Sequence, residues 1–137
     1  MAMEGLGRLF NVVPIAASAS ISLKDASGVT FIVTGGDTFT LNSQPTAGGA
    51  ATALAVVGRY QTSTATDGSA KWVEATQAAA STVTIASGAA VFYVDMADLP
   101  DGADYVEVVP AATGLVTAIV HDLSVQRDPK NLAALNA

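Results

Sequence analysis

The chain has no cysteine, a single tryptophan, a single histidine and only six basic residues among 137. Each scarcity closes off a class of function. Without thiols there is no disulfide, no thiolate zinc site and no cysteine nucleophile. The basic residues, Arg8, Lys24, Arg59, Lys71, Arg127 and Lys130, are scattered, and the net charge is −6. Nucleic-acid binding draws on clustered cations that displace counterions, so no nucleic-acid partner is expected. No apolar run approaches the length that spans a bilayer, and no membrane association is expected either. The opening "MAMEGLGRLFNVVPIAASAS" faintly resembles a signal peptide. Glu4 stands where positive charge belongs, and Asn11 and Pro14 interrupt the apolar patch, so the expectation is a soluble, uncleaved chain.

What is present is mostly small and apolar. Half the residues are hydrophobic, but 27 residues are alanine and aromatics are few. The larger apolar side chains come mainly from Val and Leu. A chain of this length fits one domain with a modest core and closely approaching backbones.

Strand signals dominate. "GVTFIVTG" (28–35) is rich in β-branched and aromatic residues, and "DTFTLNS" (37–43) alternates Phe39 and Leu41 with Thr38, Thr40 and Asn42. Gly35-Gly36 between them reads as a tight hairpin turn, because glycine reaches positive φ without steric cost. "ATALAVVGRYQTS" (51–63) reads as a strand or short buried segment. "DGSAKWVEATQ" (67–77) opens on an Asp67-Gly68 turn and puts Trp72 in a strand. "STVTIAS" (81–87), "AAVFYVDM" (89–96), "ADYVEVVP" (103–110) and "LVTAIVHDLSVQR" (115–127) follow. Turn signals at Ser87-Gly88, Asp101-Gly102 and Pro110 to Gly114 separate them. Thr46 to Ala53 reads as a loop. The helical candidates are brief: one turn in "TQAAAS" (76–81), and a short helix opened by Asp128-Pro129 over "KNLAAL". About eight short strands at this spacing predict an all-β fold, a single β-sandwich or barrel-like domain over 1–137. Its body covers roughly 8–127, with extended N- and C-terminal arms, the latter over 128–137.

Three groups of residues could carry chemistry. His121 lies in a strand beside Asp122, but successive strand side chains face opposite ways. His121 therefore shares a face with Leu115, Thr117, Ile119, Leu123 and Val125, away from Asp122 and Ser124. The expectation is a hydrogen-bonded histidine among apolar neighbours. Neither a Gly-x-Ser-x-Gly elbow nor a His-Glu-x-x-His pair is present. Asp95, Asp98, Asp101, Asp104 and Glu107 recur every third residue, in a stretch without Lys or Arg between Trp72 and Gln126. Calcium loops space their first ligands two apart, then add a Gly and a distant Glu, and that order is absent. A solvated acidic edge is expected, with no metal. The glycines of "EGLGRLF" and "TGGDT" match neither a dinucleotide fingerprint nor a phosphate loop. No catalytic residue and no cofactor is expected, and the chain reads as a non-enzyme.

The ends are different. Leu6, Leu9 and Phe10 sit close together around Arg8, and Leu132 and Leu135 form a small apolar stripe after Arg127 and Lys130. Each segment is too short to be ordered alone in water. Either it packs back on its own body or it docks on a neighbour. These eight residues, Leu6, Arg8, Leu9, Phe10, Arg127, Lys130, Leu132 and Leu135, are the candidate contacts with a neighbouring subunit or a larger assembly.

"GLGRLFNVVPI", "WVEATQAAASTVTI", "AAVFYVDMADLPDGADYVEVV" and "GLVTAIVHDLSVQRDPKNLAAL" together resemble head decoration (minor capsid) proteins of tailed bacteriophages that infect actinobacteria. The resemblance covers most of the chain apart from the stretch around 44–70, and "VTAIVHDLSVQR" with the following Pro and Asn-Leu is its most specific part. It implies a structural virion protein that binds the outer surface of an assembled capsid and stabilises the shell. The implied partner is the major capsid protein, and the implied place is the virion exterior after a stay in the host cytoplasm. It also implies a homo-oligomer, with a trimer as first expectation. Two other classes stay open: another virion component such as a head–tail connector or tail subunit, and a small ligand- or carbohydrate-binding β-sandwich. The last would need an exposed aromatic platform drawn from Tyr60, Trp72, Tyr93 and Tyr105.

Overall fold

The computed structural model describes residues 10–121 together with Ala134 and Leu135. These residues build an all-β sandwich of two antiparallel sheets. In chain order the strands are β1 (Phe10–Val13), β2 (Ile21–Ser22), β3 (Gly28–Thr34), β4 (Asp37–Gln44), β5 (Thr52–Ala53), β6 (Val57–Ser63), β7 (Val73–Ala80), β8 (Thr82–Ile85), β9 (Ala89–Asp95), β10 (Tyr105–Pro110) and β11 (Leu115–His121). The six-stranded sheet runs β1-β11-β3-β9-β6-β7. The five-stranded sheet runs β2-β10-β4-β5, with β8 also on β4.

Alternation within the strands makes the core. Val29, Phe31 and Val33 of β3, Ala90, Phe92 and Val94 of β9, and Val116, Ala118 and Val120 of β11 point inward and are buried. Phe39 and Leu41 of β4, Val83 and Ile85 of β8, and Val106 and Val108 of β10 meet them from the other sheet. Phe31 and Phe92 touch with ring centroids 5.5 Å apart. The small core expected from the composition is thus filled by valine, with four phenylalanine and leucine side chains, Phe31, Phe39, Leu23 and Leu41, among the largest that are fully buried.

The Gly35-Gly36 turn does not close a hairpin. Both edges of β3 are already taken, by β11 and β9, so β4 crosses into the other sheet. The two glycines make a tight corner: Gly35 has φ +91°, and a Cβ on Gly36 would overlap the carbonyl of Ala86. Two more crossings gather at the same end. The β8-to-β9 corner is tied to the first by Gly35 N–H donating to the Gly88 carbonyl at 3.0 Å. The β10-to-β11 corner is held by Asp37, whose Oδ2 accepts from the backbone N–H of Ala112 at 2.9 Å and Gly114 at 2.8 Å. Its Oδ1 accepts from Thr38 N–H at 2.8 Å.

Other expectations shift as well. "TQAAAS" is strand, because β7 runs to Ala80 and hands over to β8 through Ser81 alone. The alanines there oppose β6 through an irregular register at Val57 and Arg59, and the Gln77 side chain donates to the carbonyls of Val57 and Thr82. Trp72 stands just before β7 rather than within it, half exposed. The 51–63 segment divides into β5 and β6, so the loop expected to Ala53 ends in two strand residues. Eleven strands occur among the described residues instead of about eight, because β1, β2 and β5 are too short to leave a periodic signal. The turns at Asp67-Gly68, Ser87-Gly88 and Asp101-Gly102 are present, each with positive φ at its glycine.

The hydrogen bonds from Gly114, Ala112 and Thr38 stabilise the Asp37 carboxylate and hold its pKa below the ordinary 3.8. A depressed carboxylate contributes stability that is complete above the unfolded value and is lost as pH falls through the folded one. Replacing Asp37 with alanine is expected to lower the melting temperature at neutral pH and to flatten the loss of stability below about pH 4. Thermal melts of both proteins between pH 2 and 7 measure this, and parallel acid limbs would contradict it.

Candidate functional site

His121 is the last residue of β11, opposite Phe10 of β1 and Gly28 of β3. Its Nε2 lies 3.0 Å from the Thr30 hydroxyl, and its ring stacks on Tyr93 with centroids 5.0 Å apart. Tyr93 in turn lies across Gly28, where a Cβ would overlap its ring, and its hydroxyl reaches the Ser27 carbonyl at 3.5 Å. The hydrogen-bonded histidine expected from the sequence is therefore present. Its setting differs in one respect: the face it shares with Leu115, Thr117 and Ile119 is the outer face of the sheet, and the core belongs to Val116, Ala118 and Val120. Asp122, Leu123, Ser124 and Val125 lie outside the described residues.

The acidic series surrounds the β9-to-β10 connection. Asp95, Asp98, Asp101 and Asp104 are exposed, and Glu107 is half buried. Asp95 caps a short 3-10 helix over Met96–Asp98 by accepting from Ala97 N–H at 3.0 Å. Glu107 accepts from the Asn42 amide at 3.2 Å. Asp95 and Asp98 thus serve a helix cap, and Glu107 a cross-strand bond. Among the described residues no three His, Asp or Glu side chains converge as a metal would require.

The termini of the body are brought together by register. Phe10 pairs with His121, so the chain enters and leaves the six-stranded sheet side by side at one corner. Phe10 is partly exposed there at the edge of the sheet. Leu6, Arg8, Leu9, Arg127, Lys130 and Leu132, and the helix expected from Asp128-Pro129, lie outside the described residues. Leu135 is described, and it takes one of the two placements left open by the sequence: it packs half buried against its own core, and its carbonyl accepts from Ser22 N–H of β2 at 2.7 Å. That contact spends Leu135 on the chain's own body.

Sequence reasoning missed the outer face of β1, β11, β3 and β9. Val12, Leu115, Thr117, Ile119, Thr30, Ile32, Thr34, Val91 and Tyr93 share it by register, with Asp95 at one end as its charged residue. The signal was available in "LVTAIV", whose apolar residues do not alternate; such runs mark strands covered on both faces. Of the four aromatic candidates for a ligand platform, Trp72 and Tyr93 are exposed, and Tyr60 packs on the core. Trp72 and Tyr93 stand two strands apart and about 13 Å apart along the strand direction, so they offer no common stacking surface.

No family model and no curated protein matches the chain. A crystal structure of the SPBc2 prophage-derived protein YomS matches with a TM-score of 0.45 and 16% identity, covering 81% of this chain and 91% of that one. A likeness of that degree supports no statement about function.

Two outcomes follow from this geometry. His121→Gln can keep a partner for Thr30 and gives up the ring stack on Tyr93, so the chain is expected to fold with a stability change of at most about 1–2 kcal/mol by denaturant titration. A larger loss would mean that the Tyr93–His121 contact organises the sheet. Titration calorimetry with calcium is expected to show no site of micromolar or tighter affinity, since the carboxylates of 95–107 are spread over caps and a strand.

Proposed function

We propose that the chain is a structural virion protein of a tailed bacteriophage that binds the outside of the capsid shell and stabilises it. The observation that carries this reading is the division of charge between the body and the ends. Residues 10–121 hold nine carboxylates against three cations, Lys24, Arg59 and Lys71. The residues on either side hold three of each, with Arg8, Arg127 and Lys130 among Leu6, Leu9 and Leu132. An acidic body keeps away from packaged nucleic acid. Neutral, leucine-bearing ends that start from one corner suit attachment to a protein lattice. The resemblance of "GLVTAIVHDLSVQRDPKNLAAL" and its companion segments to head decoration proteins points the same way. The partner in this reading is the major capsid protein, and the ends make the contact through Leu6, Arg8, Leu9, Arg127, Lys130 and Leu132.

Each leucine buried at such a contact contributes about 1.5–3 kcal/mol before ordering costs. Point replacement is cleaner than truncation, because removing Leu135 would also remove its bond to Ser22. Mixed with undecorated capsids, the full chain is expected to bind to a fixed number of copies per particle. The variant Leu6→Ser, Leu9→Ser, Leu132→Ser is expected to need roughly tenfold or more protein for the same occupancy, with an unchanged melt. Failure of the full chain to bind shells would remove the capsid reading. Full occupancy by the variant at the wild-type concentration would remove the ends as the contact.

A further inference from the structure

We infer that the outer face of the six-stranded sheet is where two copies of this chain pair. The face spans β1, β11, β3 and β9. Its rows, read across the strands, are Val12, Ile119, Thr30 and Tyr93, then Thr117, Ile32 and Val91, then Leu115 and Thr34. A sheet face meant for water alternates toward polar and charged residues. Here the outward positions are β-branched, apolar or aromatic, apart from the row Phe10, His121, Gly28 and Asp95 at one end. Leu115 is 65% exposed and Tyr93 45% exposed. Ile15, next to the Pro14 carbonyl that holds the Thr117 hydroxyl, is 83% exposed and extends the patch at its edge.

A second copy fits this face better than a partner of another chemistry. Over these four strands the face carries no lysine or arginine; His121 and Asp95 lie in the row at one end, and Arg59 of β6, ion-paired with Glu74 of β7, stands beyond the β9 edge, so an ionic partner finds little across its middle. The acidic groups of 98–104 follow β9 in the connection beyond that end, so two faces in contact keep those carboxylates in water. Two flat sheets pack aligned, about 10 Å apart and about 30° askew, with short branched side chains interleaved, and Thr, Val and Ile supply that relief. Three strands of seven residues and one of four present roughly 400 Å² in plan per copy, or about 800 Å² for the pair before side-chain relief is added. That lies below the usual size of specific interfaces, near 1,200 Å² in total, and suits a weak, concentration-dependent pair. Such a face is used up by one twofold contact and does not close a ring of three. The inference does not depend on the capsid reading, since it concerns the free chain.

Sedimentation velocity on the full chain tests it. From the low-micromolar to the sub-millimolar range, the mass is expected to rise from 13.7 kDa to about twice that value. Ile32→Lys, at the centre of the face, is expected to hold the chain at one copy. Leu115→Lys, at an exposed position that cannot disturb the core, is expected to weaken pairing at least about tenfold with an unchanged circular dichroism spectrum and melt. Thr84→Lys, exposed on β8 of the other sheet, is expected to pair as the parent does. A parent that stays at one copy throughout overturns the inference. If Leu115 and Tyr93 are then protected from hydroxyl-radical labelling, a segment of the same chain, such as residues 1–9, is the occupant instead. Undiminished pairing by both Ile32→Lys and Leu115→Lys also overturns it, and assigns self-association to another surface.

Discussion

The structure depends on a constraint of connectivity: strands that follow one another in sequence repeatedly belong to different sheets. β3 and β4, β8 and β9, and β10 and β11 all cross the sandwich through tight corners. Crossing is what makes a two-layer core from a chain with few large side chains, because it sets Phe39 and Val108 of one sheet against β3 and β11 of the other. Corners this tight cannot satisfy their own backbone N–H groups within a ladder. Asp37 takes three of them on one carboxylate, and the Gly35–Gly88 bond joins two corners directly. Glycine is required where the corners touch: a Cβ on Gly114 would collide with the Phe39 ring, and one on Gly88, at φ +76°, with the Ser63 carbonyl.

With the layers fixed in this way, two surfaces remain for association, and they differ in kind. One is the corner where Phe10 meets His121, from which both chain ends depart. The other is the outer face beside it, where Ile32, Ile119 and Val91 occupy positions that water-facing strands give to charged groups. Much of the body's charge lies on the connection after β9 and at turns, with Arg59 and Glu74 paired farther along the same sheet, on β6 and β7. Such separation suits the attachment proposed above. Repulsion between acidic bodies limits indiscriminate association, while uncharged contacts set the geometry of those that form.

The all-β class, most strand positions and the three glycine-marked turns were legible in the sequence, because alternation in β4 and β-branched runs in β3, β9 and β11 are local signals. Sheet membership was not. Gly35-Gly36 between two strands looks the same whether it closes a hairpin or turns a corner, and the choice is made by β11 and β9 occupying both sides of β3. The short strands β1 and β2 were illegible for a related reason: their pairing comes from residues about a hundred positions away for β1, and over eighty for β2. For the candidate site, period-two reasoning placed His121 on one face with Leu115 and Ile119, and that grouping holds. Which of the two faces was the core could not be read, because "LVTAIVH" is apolar on both. Leu135 shows the same limit, since only the position of Ser22 decides where its carbonyl binds.

In the proposed function this sandwich attaches to a shell through its ends. Cryo-electron microscopy of phage particles assembled with the protein present tests it most directly. Two-sheet density is expected on the outer surface of the capsid, with the Phe10–His121 corner turned toward the shell and density continuing from it onto the capsid protein. Finding the sandwich in a cyclic ring at the portal or in the tail, or on the shell with that corner facing solvent, would contradict it.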